Sequence, residues 1–241
     1  VIWHLLMQPT PAVSAMETSE QATLRIHVVF NNVPLKSGLE TGWGFACLVD
    51  GMDRTLLFDT GADPNILLSN MERLSLRPEA VDAIVLSHIH MDHTGGLTGF
   101  LARHSDVTVY MPASFPAPFQ SEIAALGVAT ETVAGPVRLM EDVYSTGPMG
   151  RAIKEQALII DTPEGLVVIT GCAHPNVADM AERATDYLGK NIYLLMGGFH
   201  LGGSSPGRIG HIVDRLREMG VEKVAPSHCT GEKATGMFRE A

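Results

Sequence analysis

From Leu24 onward the apolar positions fall into short runs of Val, Ile, Leu and Phe, each bounded by Gly, Pro, Asp or Asn. Runs of that length and composition predict strands. They lie at Leu24–Phe30, Gly44–Val49, Thr55–Phe58, Ala83–Leu86, Val107–Tyr110, Val128–Val133 and Val137–Met140, then at Ala157–Ile160, Leu166–Thr170, Ile192–Met196 and Lys223–Ala225. Between them, Pro64–Leu74, Gly96–Arg103, Ser114–Leu126, Pro175–Leu188 and Pro206–Met219 read as helices. In the last, Ile209, Ile212, Val213 and Leu216 recur at helical spacing, and Pro206 is placed to begin the helix. Strands first come in meander-like pairs and later alternate with helices, the pattern of sheets covered by helices in an α/β domain. No repeat, low-complexity tract or linker divides residues 22–241, which are expected to form one domain. Val1–Gln21 reads as an extension outside it, with Trp3, Leu5 and Leu6 free to pack on the body or on a partner. Its apolar run, about seven residues with no Lys or Arg before it, is at the lower edge for an export signal.

Composition narrows the function. The chain of 241 residues carries a formal net charge of −10, with 45% hydrophobic residues. Intrinsic disorder is excluded, and bulk binding of nucleic acid is disfavoured because an acidic surface repels phosphates. No apolar run is long enough to span a bilayer. Three cysteines, Cys47, Cys172 and Cys229, make no disulfide framework, so a reducing, cytoplasmic setting is the expectation. The chain is expected to act on a small molecule, as a monomer or a homo-oligomer.

The ten histidines are not scattered. Ser87-His88-Ile89-His90-Met91-Asp92-His93-Thr94-Gly95-Gly96 follows an apolar strand and precedes a helix. His88 and His90, two apart, can project the same way from extended chain. Asp92 and His93 lie past a bend that Gly95 and Gly96 would permit, facing a second point. Imidazole and carboxylate donors suit borderline divalent metals, so two ions sharing one loop are expected. Three further histidines each follow an apolar strand: His174 in Gly171-Cys172-Ala173-His174, His200 in Gly197-Gly198-Phe199-His200, and His228 in His228-Cys229-Thr230-Gly231. Ligands collect at such strand ends. His4, His27, His104 and His211 have no motif around them.

The HxHxDH signature, with Asp59-Thr60-Gly61 closing a strand some thirty residues earlier, resembles the metallo-β-lactamase-fold hydrolase superfamily. The glycine-flanked His174, His200 and His228 segments, with Asn31-Asn32 and Gly42-Trp43-Gly44-Phe45, are similar to the branch named after 7,8-dihydropterin-6-methyl-4-(β-D-ribofuranosyl)aminobenzene 5′-phosphate synthase. The resemblance implies a four-layer αββα sandwich of two mixed sheets with helices outside. It also implies a dinuclear site of two divalent ions, zinc by default, with Mn or Fe suited to the same donors. His88, His90, Asp92, His93, His174 and His228 would be the metal ligands, and Asp59 would orient a ligand imidazole. His228 fits the last ligand, on the second metal. The chain departs from the family where Glu155-Gln156-Ala157-Leu158 carries no His and where Cys172 or His174 stands in place of a bridging Asp. Either His174 supplies the missing ligand or Cys172 a thiolate bridge. His174 is favoured, since a Cys beside a strand end is usually a small packing residue. The Asn31-Asn32 pair, where the branch commonly carries Asp-Asn, removes a charge.

The expected chemistry is a water made nucleophilic between the ions and sent against an ester, phosphodiester or lactone, with Asp92 taking its proton and His200 protonating the leaving group or touching an anionic substrate. A phosphate-bearing substrate is compatible with the acidic chain, because the metals offset its charge. Gly197-Gly198 and Gly202-Gly203 are weaker anion candidates, read first as turns. Arg151, Lys154, Arg208 and Lys233 read as solvated charges. Trp43, Phe45 and Phe199 would line an apolar or heteroaromatic pocket, or pack in the core. Two other readings compete: a transferase joining a dihydropterin diphosphate to an aromatic amine, and a metal or redox sensor in which Cys172 and Cys229 respond to oxidant.

Overall fold

The computed structural model describes residues 23–34 and 36–241; the proposed contacts of Trp3, Leu5 and Leu6 lie outside the described residues. Twelve strands form two six-stranded sheets. The first runs β1 (Arg25–Asn31), β2 (Phe45–Asp50), β3 (Leu56–Phe58), β4 (Ala83–Val85), β5 (Thr108–Pro112) and β6 (Ala129–Val133), in that spatial order. β1–β3 pair antiparallel and β3–β6 parallel. The second contains β7 (Val137–Met140), β8 (Val143–Ser145), β9 (Leu158–Thr162), β10 (Gly165–Thr170), β11 (Ile192–Gly198) and β12 (Lys223–Ser227), ordered from β12 to β7. Here β10–β12 pair parallel and β7–β10 antiparallel.

Alternation along the strands explains the layering. Phe45, Cys47, Leu56, Phe58 and Val85 of the first sheet meet Leu158, Ile160, Val167, Ile169 and Met196 of the second in one inter-sheet core. Leu57 and Ile84 face the other way, onto α1 (Pro64–Arg73), α3 (Leu97–Arg103) and α4 (Ala117–Ala125), where Leu67, Met71, Phe100 and Ile123 are buried. Leu166 and Val168 likewise pack outward on α5 (Val177–Leu188), α6 (Pro206–Glu218) and α7 (Glu232–Glu240). The result is an αββα sandwich. Helix starts are set by local chemistry: Asp63, Asn176 and Ser205 accept from the first-turn amides of α1, α5 and α6, with Pro64 and Pro206 in the first turns of α1 and α6. No helix among the described residues is long and apolar enough to cross a membrane.

Each strand expected from the sequence has a counterpart. Three strands or α-helices were not expected: β8, only three residues long; the single turn α2 (Met91–Thr94) inside the histidine loop; and α7, whose Ala234 and Phe238 are buried four apart. The expected role of Gly95 and Gly96 is corrected. Both are helical, at φ −66° and −77°, so no special turn is made there. They are small because their Cβ positions would clash with the backbone carbonyls of Ala62 and Thr60. The Asp59-Thr60-Gly61 turn thus packs directly on the histidine loop.

Candidate metal centre

The C-terminal ends of the parallel strands β3, β4, β10, β11 and β12 carry the polar groups that the apolar sandwich excludes. Four residues just past these ends hold a positive φ without being glycine: Asp59 (56°), Ala173 (58°), His200 (49°) and His228 (50°). Such backbone costs about 1–3 kcal/mol per residue and persists where its surroundings over-determine it.

Three groups of donors form there. His88, His90 and His174 place one ligand atom each within 4.8 Å of one another, and so do Asp92, His93, Cys172 and His228; a third group, Cys172, His174 and the exposed His200, shares one member with each of the other two. His88 and His90 thus do point one way, and Asp92 and His93 serve a second point, as the spacing predicts. The imidazoles pack tightly, with centroids 4.3 Å apart for His88–His93, 4.6 Å for His88–His174 and 5.1 Å for His93–His228.

Each ring is aimed by a partner on its far side. Asp59 accepts from Ser87 N (2.7 Å) and Ser87 Oγ (2.7 Å), and its Oδ2 lies 2.7 Å from His93 Nδ1. Because Ser87 Oγ donates to Asp59, it accepts from His88 Nδ1 at 2.8 Å. His174 Nδ1 donates to Glu155 Oε2 at 2.8 Å, and His228 Nδ1 to Asn32 Oδ1 at 3.0 Å. In all four rings these partners assign the proton to Nδ1, leaving the Nε2 lone pair for the centre.

Burial keeps two of these rings neutral: it lowers His88 to about 3 and His93 to about 4. Burial alone would raise the Asp92 carboxyl, but the adjacent His228 and His93 imidazoles hold it well below the usual carboxylate range. Burial also raises Asp59, to about 7, against the opposing pull of His88 and Ser87. A donor set of neutral imidazoles and one ionised carboxylate suits a divalent ion. His228 Nε2 supports that fit: it is buried 3.3 Å from Asp92 Oδ2 and makes no hydrogen bond. An unpaired lone pair beside a carboxylate is what a shared cation would satisfy.

Glu155 was missed as a functional residue. Where the sequence shows only a missing His, this fully buried carboxylate takes four hydrogen bonds: from the backbone N–H groups of Cys172, Ala173 and His174, and from the His174 ring. Desolvation works against its charge, but the His174 bond, His88 and those N–H groups pull it well below the ordinary value. Asn32 entered the sequence reading only as part of the Asn31-Asn32 pair, with no role of its own, yet its side chain holds His228.

Cys172 is buried, as a packing residue would be, but its Sγ also lies 3.2 Å from His93 Nε2. Cys229 donates to the Cys172 carbonyl at 3.6 Å. A hydrogen bond with Cys172 lowers the Cys229 thiol, which also bonds His200; the same bond together with burial pushes Cys172 up. His200 is exposed, 4.5 Å ring to ring from His174, and raised by its bond to Cys229. Phe45 and Phe199 are buried in the cores; Trp43 is exposed against His228, with centroids 5.1 Å apart. The amides of Gly198 and Gly202 are taken by the Gly171 and Cys229 carbonyls, so neither is free for an anion. Arg151, Lys154, Arg208 and Lys233 are exposed.

This sandwich, with two histidine-rich donor groups at the strand ends, is the arrangement of the metallo-beta-lactamase superfamily, whose family model matches residues 44–228; the chain belongs to that superfamily. Among characterised relatives it is 30% identical, over 236 aligned positions covering 79% of this chain and 80% of the relative, to 7,8-dihydropterin-6-methyl-4-(beta-D-ribofuranosyl)-aminobenzene-5′-phosphate synthase of Methanocaldococcus jannaschii. Among solved structures, Tm1679, a metal-dependent hydrolase of the beta-lactamase superfamily, superposes with a TM-score of 0.77 at 29% identity, over 90% of this chain and 93% of that one. The metallo-beta-lactamase fold protein YhfI of Bacillus subtilis shares the fold, with a TM-score of 0.63 at 16% identity over 90% and 94% of the two chains.

Proposed function

We propose that the chain is a metal-dependent hydrolase of small-molecule esters, phosphodiesters or lactones, with His88, His90 and His174 holding one divalent ion and Asp92, His93 and His228 a second. Two clusters of donor atoms, in which four imidazoles are each held at Nδ1 by a partner behind the ring, are the observation that carries this reading. Zinc is the first expectation, and the same donors accept Mn or Fe. Two such ions supply Lewis acidity and lower the pKa of water. Asp92, ionised at the edge of the second group, is the acceptor for the proton of the attacking water. His200, on the exposed rim, is placed to donate a proton to the leaving group or to contact an anionic substrate. Cys172 Sγ lies within reach of the second ion, and His174, not Cys172, completes the first trio. Similarity to Tm1679 supports hydrolysis. Similarity to the pterin synthase supports a second reading, transfer from a dihydropterin diphosphate, in which the same ions would hold the diphosphate. The acidic chain is a poor partner for nucleic acid.

The test is elemental analysis of the natively purified protein, then turnover of bis(p-nitrophenyl) phosphate by the metal-loaded form. Two equivalents of metal are expected, and the one held by His88, His90 and His174 should be lost in a folded His90→Ala variant. Retention of both equivalents by His90→Ala would overturn the assignment. Metal without turnover of any ester or lactone would shift the reading to the transferase or the Cys172–Cys229 sensor.

A further inference from the structure

Exposed large apolar side chains are few among the described residues, and two of them belong to segments of the centre: Trp43 (61% exposed) and Met91 (75%). Met91 stands between His90 and Asp92, and the Trp43 ring lies tilted against His228. Apolar side chains gathered at the rim of a polar site mark a place where something apolar is held. Trp43 is also fixed in place. A Cβ on Gly42 would lie 2.9 Å from Phe30 Cζ, and one on Gly44, at φ +144°, would clash with the Asp92 carbonyl. Gly44 therefore lets the Trp43 backbone seat directly on the histidine loop, and Gly42 lets it pack on Phe30. On the opposite side, sheet two presents the exposed His200. Trp43 thus stands beside His228 of one donor group and His200 beside His174 of the other.

We propose that Trp43 is a specificity-determining residue that stacks a planar aromatic or heteroaromatic ring of the substrate, while the attached ester or phosphoryl group enters the centre. The proposal rests on the hydrolase reading for the centre itself, but its own claim concerns the ring. An indole face offers a ring both apolar area and oriented π contact, and it is rigid before the ligand arrives. An aliphatic substituent gains only the smaller apolar contact.

Two phosphonates that are not hydrolysed separate these contributions. Phenylphosphonate and methylphosphonate share one head group and differ in the ring, and both are titrated calorimetrically into the metal-loaded full chain. The expected result is about tenfold tighter binding of phenylphosphonate. Trp43→Ala should abolish that ratio and leave methylphosphonate within twofold of its original Kd, whereas Trp43→Phe should keep most of it. In a Trp3→Phe background, phenylphosphonate alone should quench Trp43 emission saturably. The proposal is overturned if the ratio survives Trp43→Ala, or if both ligands weaken equally, which would make Trp43 merely a prop for His228. It is also overturned if light scattering shows Trp43→Ala turning an oligomer into a monomer, making this rim a contact between copies. Failure of the hydrolase reading shows elsewhere: the ratio would respond to Trp43 as expected while no ester is turned over.

Discussion

Glu155 is where the geometry of the centre can be tested most directly. One carboxylate oxygen accepts from Cys172 N and Ala173 N, both at 2.8 Å, and the other from His174 N at 2.9 Å and His174 Nδ1 at 2.8 Å. Glu155→Gln keeps the volume but supplies one acceptor oxygen in place of two. With that oxygen on Cys172 and Ala173, the amide NH2 faces two donors of His174. The ring can accept from it only by moving its proton to Nε2, the nitrogen that faces His88 and His90, and this tautomer has no lone pair for a cation. The backbone N–H of His174 is left without an acceptor, at a cost of about 1–3 kcal/mol. Losing the outer partner of a ligating imidazole costs about 10–100-fold in metal affinity. Urea unfolding of the chelator-treated protein reads the first quantity, and competition with a chromophoric chelator reads the second. Stability within 0.5 kcal/mol of the parent, together with metal affinity unchanged within twofold, would refute the reasoning. Glu155→Ala is less informative. It orphans three buried backbone donors at about 3–9 kcal/mol in total, comparable with the whole stability of a domain at about 5–15 kcal/mol.

Other perturbations divide the centre differently. Asp59→Asn turns an amide toward both His93 and Ser87 Oγ, the acceptor of His88 Nδ1, so it should weaken both metal equivalents by about 10–100-fold, as stepwise metal titration would show; unchanged affinity at either one would contradict the contacts. Gly171→Ala places a Cβ into Ser87 Oγ and 2.9 Å from Asp59 Oδ2, and should destabilise the fold by about 1–3 kcal/mol, measurable as a lower urea midpoint. Acid should destabilise the metal-free protein. The folded values of His88 and His93, about 3 and 4, lie below the unfolded value, so their contribution is complete above about pH 6.5 and lost on acidification. Asp59, raised to about 7, acts in the opposite sense and offsets one of them. The net loss is about 2 kcal/mol between pH 6.5 and 5, and urea midpoints that stay flat or rise over that range would disprove it.

What could be read from the chain was what lies close together in it. The histidine loop spans a few residues at a strand end, so its two directions of ligation follow from strand alternation and one bend. The orienting contacts do not. Glu155 reaches His174 across 19 positions and Asn32 reaches His228 across 196, and neither partner is marked by spacing. The one available signal for Glu155 was an acidic residue just ahead of the apolar strand β9. Short elements were lost for a related reason. Val143–Ser145 is too brief to show alternation, and α7 hides its buried stripe among Glu, Lys and Thr. For Gly95 and Gly96, sequence identified small residues but not whether a bend or a neighbouring backbone required them.

These contacts make the centre the seam between the two sheets. Sheet one contributes Asp59 and the His88–His93 loop, and sheet two contributes Glu155, Cys172, His174 and His228. Where they meet, Gln156 N donates to the Ser87 carbonyl and Gln156 Nε2 to that of Leu86, while Gly171 lies flush against the Ser87 side chain. The two groups proposed to hold metal take their donors from both sheets. A cation in either one would therefore bridge the sandwich and stabilise the folded state over an unfolded chain that cannot assemble the set. In the metal-free protein, the same seam holds buried neutral imidazoles and ionised carboxylates that only their mutual contacts compensate. Metal removal should thus loosen sheet-to-sheet packing at this edge first, and the inter-sheet core around Phe58 and Ile169 later. The helices outside the sandwich, whose cores face away from the seam, should keep their amide-exchange protection longest.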